Sequence, residues 1–253
     1  MVYEDLKGKR VLVTGSSSGI GQATAILFSQ QGCYVGVHYF RTKAGAQKTL
    51  RAVKRNSDGT VVYGDLRDEK QAEEAVKEFA AVAGGMDILV NNAGTMVGRQ
   101  FFESAPLEYH EDVYATNVRS VFLVTRAAVP YLKKSKGVIV NVGSVAGHTG
   151  GNGGSGMYAG AKAAVATETI SMAKEFAKYG IRVNSVLPGF IETRFHEQYS
   201  TPERCKEVAK KTPLGRNGTR EDVANAILFL ASKSSSFITG AYVPVNGGLY
   251  LRA

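Results

Sequence analysis

Short apolar runs alternate with amphipathic stretches along the chain, and this alternation sets the expected elements. A β-rich run at 9–14 ends in glycines. A pattern with Ile20, Ala23, Leu27 and Phe28 at helical spacing follows and stops at Gly32. A second strand is expected at 34–38, a helix through about Arg55, and a third strand at 60–64 ending at Asp65. Residues 68–77 carry alternating charges and read as the solvated face of a helix. The apolar run 86–90 ends in Asn91-Asn-Ala-Gly94, and a helical pattern containing Asn117 continues through 121–124. Pro130 interrupts that pattern, so the helix is expected to end or kink near Val129. Strands follow at 137–143 and 181–186, the latter closing on Pro188 and Gly189, and a last one at 242–245. A glycine-rich loop spans 148–156, a helix opens around Tyr158, and 221–231 is helical. The polar, helix-capable stretch 190–211, with Thr193 near its start, reads as a mobile lid. Strand and helix alternate with no break in composition, which predicts one α/β domain over 1–253. Its expected form is a doubly wound parallel sheet with helices on both faces.

Composition changes this picture little. The chain has 253 residues, enough for a sizeable core, and 29 glycines, which suit tight strand-to-helix turns. There is no apolar run of transmembrane length and no signal-peptide core at the N-terminus. Cys33 and Cys205 stand far apart without histidine clustering, so neither a disulfide framework nor a metal site is expected. A reducing cytosol is the default compartment. The net charge of +9 comes from residues scattered through amphipathic helices with no nucleic-acid motif. That excess fits an anionic cofactor or an acidic partner better than nucleic acid.

Four places along the chain carry chemistry. Gly15-Ser-Ser-Ser-Gly19-Ile-Gly21 lies between a strand and a helix start, the geometry that offers backbone N–H groups to a phosphate. After the second strand, residues 38–43 include Arg41 and no acidic residue. An acidic residue there would bind a ribose 2′-hydroxyl, whereas Arg41 suits a 2′-phosphate and favours NADP over NAD. Tyr158 and Lys162 sit one helical turn apart, so a cation beside the phenol would favour phenolate and make a tunable proton donor or acceptor. Ser144, just past the carboxyl end of its strand, lies where parallel sheets bind ligands.

Taken together these residues resemble the short-chain dehydrogenase/reductase family along essentially the whole chain. The carriers are Thr14 to Gly21, Asp65, Asn91 to Gly94, Asn117, Ser144, Tyr158-x-x-x-Lys162 and Pro188-Gly189. The segments around Pro213 to Val223, Ile238-Thr-Gly240 and Asn246-Gly-Gly add to them. The resemblance implies a Rossmann-type fold with a nicotinamide cofactor and Tyr158 as acid/base. Lys162 would lower the phenol's pKa and hold the nicotinamide ribose, Ser144 would position the substrate oxygen, and Asn117 would support a water relay. Cofactor contacts are implied at Gly15, Ser17, Ser18, Gly19, Ile20 and Gly21, and at Arg41, Asp65, Leu66, Asn91, Ala93 and Gly94. Further contacts are implied at Pro188, Gly189, Ile191 and Thr193. Two departures stand out: an extra residue between Ser144 and Tyr158, assigned to the 150–156 loop, and Ser18 where NADP-preferring members often carry a basic residue.

Within the family the chain looks most like the 3-oxoacyl-(acyl carrier protein) reductases of fatty acid biosynthesis, which implies an acidic carrier protein as partner. Lys133, Lys134, Lys136, Lys174 and Lys178 would then form a basic docking face near the site mouth, or else serve as solvated helix charges. A sugar or polyol dehydrogenase, or a broad-range carbonyl reductase, would share the same catalytic residues. Discrimination would lie in the loops at 95–103, 148–156 and 190–211. Met96, Phe101, Phe102, Met157, Phe190, Phe195 and Tyr199 there lean toward an acyl or hydrophobic ketone, against His148, Asn152 and His196. A non-catalytic nicotinamide sensor would be marked by a replaced Tyr or Lys, and neither is replaced. The family also implies a homotetramer packed through helices around 101–129 and 158–179.

Overall fold

The structure, a computed structural model, describes residues 2–193 and 199–251. Its strands are β1 (Arg10–Val13), β2 (Tyr34–Tyr39), β3 (Gly59–Tyr63), β4 (Ile88–Asn91), β5 (Val138–Val142), β6 (Arg182–Pro188) and β7 (Tyr242–Val245). They form one parallel sheet in the order β3-β2-β1-β4-β5-β6-β7, with Leu12 opposite Leu89 and Val140 opposite Asn184. The helices are α1 (Gly19–Gln30), α2 (Lys43–Val53), α3 (Glu69–Ala83), α4 (Leu107–Tyr114) and α5 (Ser120–Ser135). After them come α6 (Ala146–Thr149), α7 (Gly156–Phe176), α8 (Pro202–Lys211) and α9 (Arg220–Ala231).

Strand residues point alternately to the two faces, and each face buries its own core. Val11, Val13, Ile88 and Val90 face Phe28 of α1 and Ile227 of α9. Leu12, Leu89 and Ile139 face Phe79 of α3, Leu132 of α5 and Phe176 of α7. Each fully buried side chain of this size contributes about 1.5–3 kcal/mol. The strand order reverses between β1 and β4, so a crevice opens at their carboxyl ends, where the β1–α1 and β4–α4 connections diverge.

Four expectations are revised. Pro130 does not end its helix, because α5 runs through it to Ser135. Pro130 is exposed, so the carbonyl its ring deprives of a partner faces water, while buried Ala128 and Leu132 hold both flanks to the sheet. The helix expected around Asn117 is two helices joined by a π-helical turn, Ala115–Arg119, a form frequent at functional sites. The strand expected to stop at 186 continues to Pro188. The helix-capable stretch 190–211 does carry a helix, α8, begun by the Thr201 side chain accepting from the Arg204 amide. Phe195 and His196 lie outside the described residues.

The lysine face is the fourth. At 1.5 Å per residue, α7 puts Lys174 about 24 Å along the helix from Tyr158, and Lys178 follows in the turn after the helix ends. Lys133, Lys134 and Lys136 close α5 just before β5 begins, at the amino ends of the strands. Lys133 and Lys178 instead lie over the Tyr179 ring. The five lysines therefore stand at the opposite end of the sheet from the crevice.

Candidate active site

A cavity of about 520 Å³ opens at the carboxyl ends of the strands and brings Ser144, Tyr158 and Lys162 to one wall. Ser144 lies two residues past β5, and its Oγ accepts from the Ala146 amide at 3.1 Å, which leaves the hydroxyl hydrogen for the phenol. Tyr158 and Lys162 project from the first two turns of α7, and Lys162 Nζ donates to Val142 O at 2.9 Å. Asn117, fully buried in the π-helical turn, donates through Nδ2 to Thr95 O and Val113 O at 2.8 and 2.9 Å. Among the described residues its Oδ1 has no partner, a costly state for a buried acceptor. A Cβ at Gly94 would lie 2.7 Å from that oxygen and 3.2 Å from Lys162 Nζ, so glycine there keeps open a space that both atoms face.

Burial sets the protonation of the pair. It pushes the Tyr158 phenol up to about 12, against a Ser144 hydrogen bond that pulls it down. It also pulls Lys162 down to about 8. The phenol thus lies above its ordinary value rather than below it. The ammonium stands 5.8 Å from the ring centroid and is engaged by a carbonyl, so desolvation outweighs its pull.

Gly15, Ser18, Gly19, Ile20, Gly94, Pro188, Gly189, Ile191 and Thr193 also line the cavity. Helix α1 starts there without a side-chain cap, so its first amides remain available to an anion. These open amides, with the glycines beside them, fit the phosphates of a nicotinamide nucleotide. Ser17, Gly21, Arg41, Asp65, Leu66 and Ala93 are not among the residues that line the cavity. Arg41 is exposed, with its guanidinium 5.7 Å from the Phe40 ring centroid. Arg67 lies at the same distance from that ring and grips Asp65 through Nε and Nη2, holding its carboxyl below the usual range. Leu66 is buried in the α3-side core, and Ala93 donates its amide to Thr14 Oγ1. Asn91 turns into the sheet, where its Nδ2 donates to Thr125 Oγ1 and Asn141 Oδ1.

Several residues of the site were not singled out as contacts from the sequence. Asn92 lines the cavity and ties Nδ2 to the carbonyls of Thr14 and Gly15. Its neighbour Asn91, on the opposite face of the strand, bonds within the core instead. Arg99, Arg204, Lys211 and Tyr250 also line the cavity, and Tyr250 stacks on His148 at 5.8 Å. His38, buried behind the glycine turn, receives the Gly15 amide.

A family model described as enoyl-(acyl carrier protein) reductase matches residues 15–250. The chain belongs to the short-chain dehydrogenase/reductase family. It is accordingly an oxidoreductase. It is 40% identical to the 3-oxoacyl-[acyl-carrier-protein] reductase FabG of Thermotoga maritima, over 97% of this chain and 99% of the relative. To the enzyme of the same name from Vibrio cholerae it is 39% identical over 98% and 99%. Among solved structures it is similar to an NADH-dependent reductase responsible for alginate metabolism. That similarity has a TM-score of 0.91 and 34% identity over 99% of this chain and 100% of the other. A structure of that reductase complexed with NAD superposes with a TM-score of 0.88. Among the described residues no helix is long and apolar enough to cross a membrane, and no metal-ligand cluster occurs.

Proposed function

We propose that the chain, acting as one catalytic unit, is an NADP(H)-dependent reductase of 3-oxoacyl thioesters, with an acyl carrier protein as the thioester's bearer. The observation that carries the chemistry is the meeting of Tyr158, Ser144 and Lys162 on one cavity wall. A bound nicotinamide nucleotide supplies the hydride. Its holders would be the open amides of α1, with Gly94, Pro188, Gly189, Ile191 and Thr193 along the cavity. Tyr158, kept neutral by burial, gives its proton to the developing alkoxide, and the Ser144 hydroxyl supplies a second hydrogen bond to the same oxygen. The Lys162 ammonium stabilises the phenolate left behind. Asn117 Oδ1 and Lys162 Nζ, facing one space beside Gly94, hold a water through which the proton is restored.

The thioester substrate is supported by the relatives' names, and NADP by exposed Arg41 with no carboxylate between positions 38 and 43. A homotetramer is supported by the exposed Leu107 and Phe122 on α4 and α5, and a reducing cytosol by the free thiols of Cys33 and Cys205. The second reading, a reductase of sugar-derived or other small carbonyl compounds using NADH, is favoured by the likeness to the alginate-metabolism enzyme. Initial rates with acetoacetyl-coenzyme A decide between them, NADPH and NADH side by side and sugars and polyols in parallel. Rapid NADPH-linked thioester reduction is expected. Arg41→Ala should cut the NADPH preference roughly tenfold to a hundredfold, the worth of a hydrogen-bonded charge. Turnover confined to small carbonyl compounds, or an NADH preference unchanged in Arg41→Ala, would sink the first reading.

A further inference from the structure

Among its described residues the cavity lining contains four cations, Arg99, Lys162, Arg204 and Lys211, and no Asp or Glu. Lys162 is engaged with Val142 O beside Tyr158. Arg204 and Lys211 share one carboxylate, Glu207, at 2.8 and 2.6 Å. Arg99 is different. Nη1 donates to the carbonyls of Asn152 and Gly153 at 3.2 and 2.7 Å, and Nη2 donates to Tyr199 O at 3.1 Å. These acceptors are neutral and occupy three of five N–H groups, so among the described residues its charge meets no carboxylate.

Its position assigns it to the substrate end. Arg99 lies on the β4–α4 connection and is strapped to the loop after β5, where Gln100 N also donates to Gly154 O at 3.0 Å. That loop runs directly into Ser155 and the helix of Tyr158. The glycine turn follows β1, two strand spacings of about 4.8 Å from β5. The loop's glycines at 150, 151, 153 and 154 all have positive φ and turn two successive carbonyls toward the guanidinium.

We propose that Arg99 anchors an anionic group of the substrate, so that the carbonyl compound reduced at Tyr158 carries a carboxylate or a phosphate away from its reacting carbon. The planar fork with two remaining N–H groups matches either anion. The inference rests on the carbonyl-reductase reading and narrows its substrate. The two sources are the phosphate of a pantetheine arm and the carboxylate of a small ketone acid.

The test compares the wild type, Arg99→Gln and Arg99→Lys on two pairs of compounds. One pair is acetoacetyl-coenzyme A and the uncharged N-acetylcysteamine thioester of acetoacetate. The other is a ketone acid and its methyl ester. Binding to the NADPH complex is followed by nucleotide fluorescence beside steady-state rates, so an unreactive compound still gives a reading. In one pair at least, the charged member should bind better to the wild type. That preference should fall tenfold or more in Arg99→Gln, mainly through KM, and recover in part in Arg99→Lys. The pair that responds identifies the source of the anion. Equal weakening of both members of each pair would make Arg99 a strut between loops and overturn the proposal, as would a wild type without preference for charge. Failure of every thioester to react, with the ketone-acid pair still discriminated, would sink the acyl-thioester reading and leave this one standing.

Discussion

The Gly15 amide donates to Nδ1 of His38 at 3.0 Å, so a buried imidazole is part of the glycine turn's support. Because Nδ1 accepts, Nε2 carries the hydrogen and donates to Gly64 O at 3.0 Å, linking the turn after β1 to the end of β3. The His38 amide in turn donates to Ser16 Oγ at 3.0 Å.

His38→Leu should therefore cost about 1–3 kcal/mol by leaving the Gly15 amide and the Gly64 carbonyl unpaired, and should weaken nucleotide binding. Burial lowers His38 to about 4. Between that value and the ordinary 6.5 the unfolded chain binds more protons, so this stability is lost as pH falls from about 6.5 toward 4. Melting curves across that range should slope less steeply in His38→Leu, and equal slopes would remove the imidazole from the account.

Tyr158→Phe removes the proton donor while keeping the ring, and should lower kcat by about 10²–10⁴ with an unchanged melting temperature. Ser144→Ala removes the second hydrogen bond to the developing charge and should cost about 10²-fold. Steady-state kinetics on the same carbonyl substrate checks both, and a Tyr158→Phe enzyme within tenfold of wild type would remove the phenol from the proton's path.

Lys162 is held charged against burial, with its pKa at about 8 in the fold and 10.5 in the unfolded chain. The unfolded chain binds more protons between those values, so this lysine makes stability rise with pH across the window. Below it, the strain is about 3 kcal/mol, an order-of-magnitude figure. Lys162→Met should be inactive yet more resistant to urea at pH 7, with the gain shrinking as pH rises past 8. A constant difference would mean that the ammonium is not desolvated.

Asn91→Leu separates packing from nucleotide binding. Its amide bonds Thr125 and Asn141, and Asn141 bonds Thr169, in a chain of buried polar groups that crosses from β4 to β5 and α7. Loss of the donor leaves Asn141 Oδ1 short of a partner, at a cost of about 1–3 kcal/mol. Urea unfolding should register this loss while NADPH affinity holds, whereas a large fall in affinity would return Asn91 to the cofactor.

The alternation of apolar runs and helical periods was enough to order the strands and helices, because a parallel sheet covered on both faces needs continuous apolar strands and one-sided helices. The glycine turn, Ser144 and the Tyr158–Lys162 pair were legible for a related reason: each lies at a strand end or a helix start, and local spacing marks both. The rest depended on contacts distant in sequence. Pro130 is harmless only because the fold turns it to water, and the lysines of α5 and α7 are remote only because both helices run away from the crevice. Asn91 and Asn92 divide between core and cavity by strand parity. His38 reaches Gly15, and Arg99 reaches Asn152, across strands. The protonation of Tyr158 and Lys162 was decided by burial, a property of the whole surrounding shell that no spacing of two residues contains.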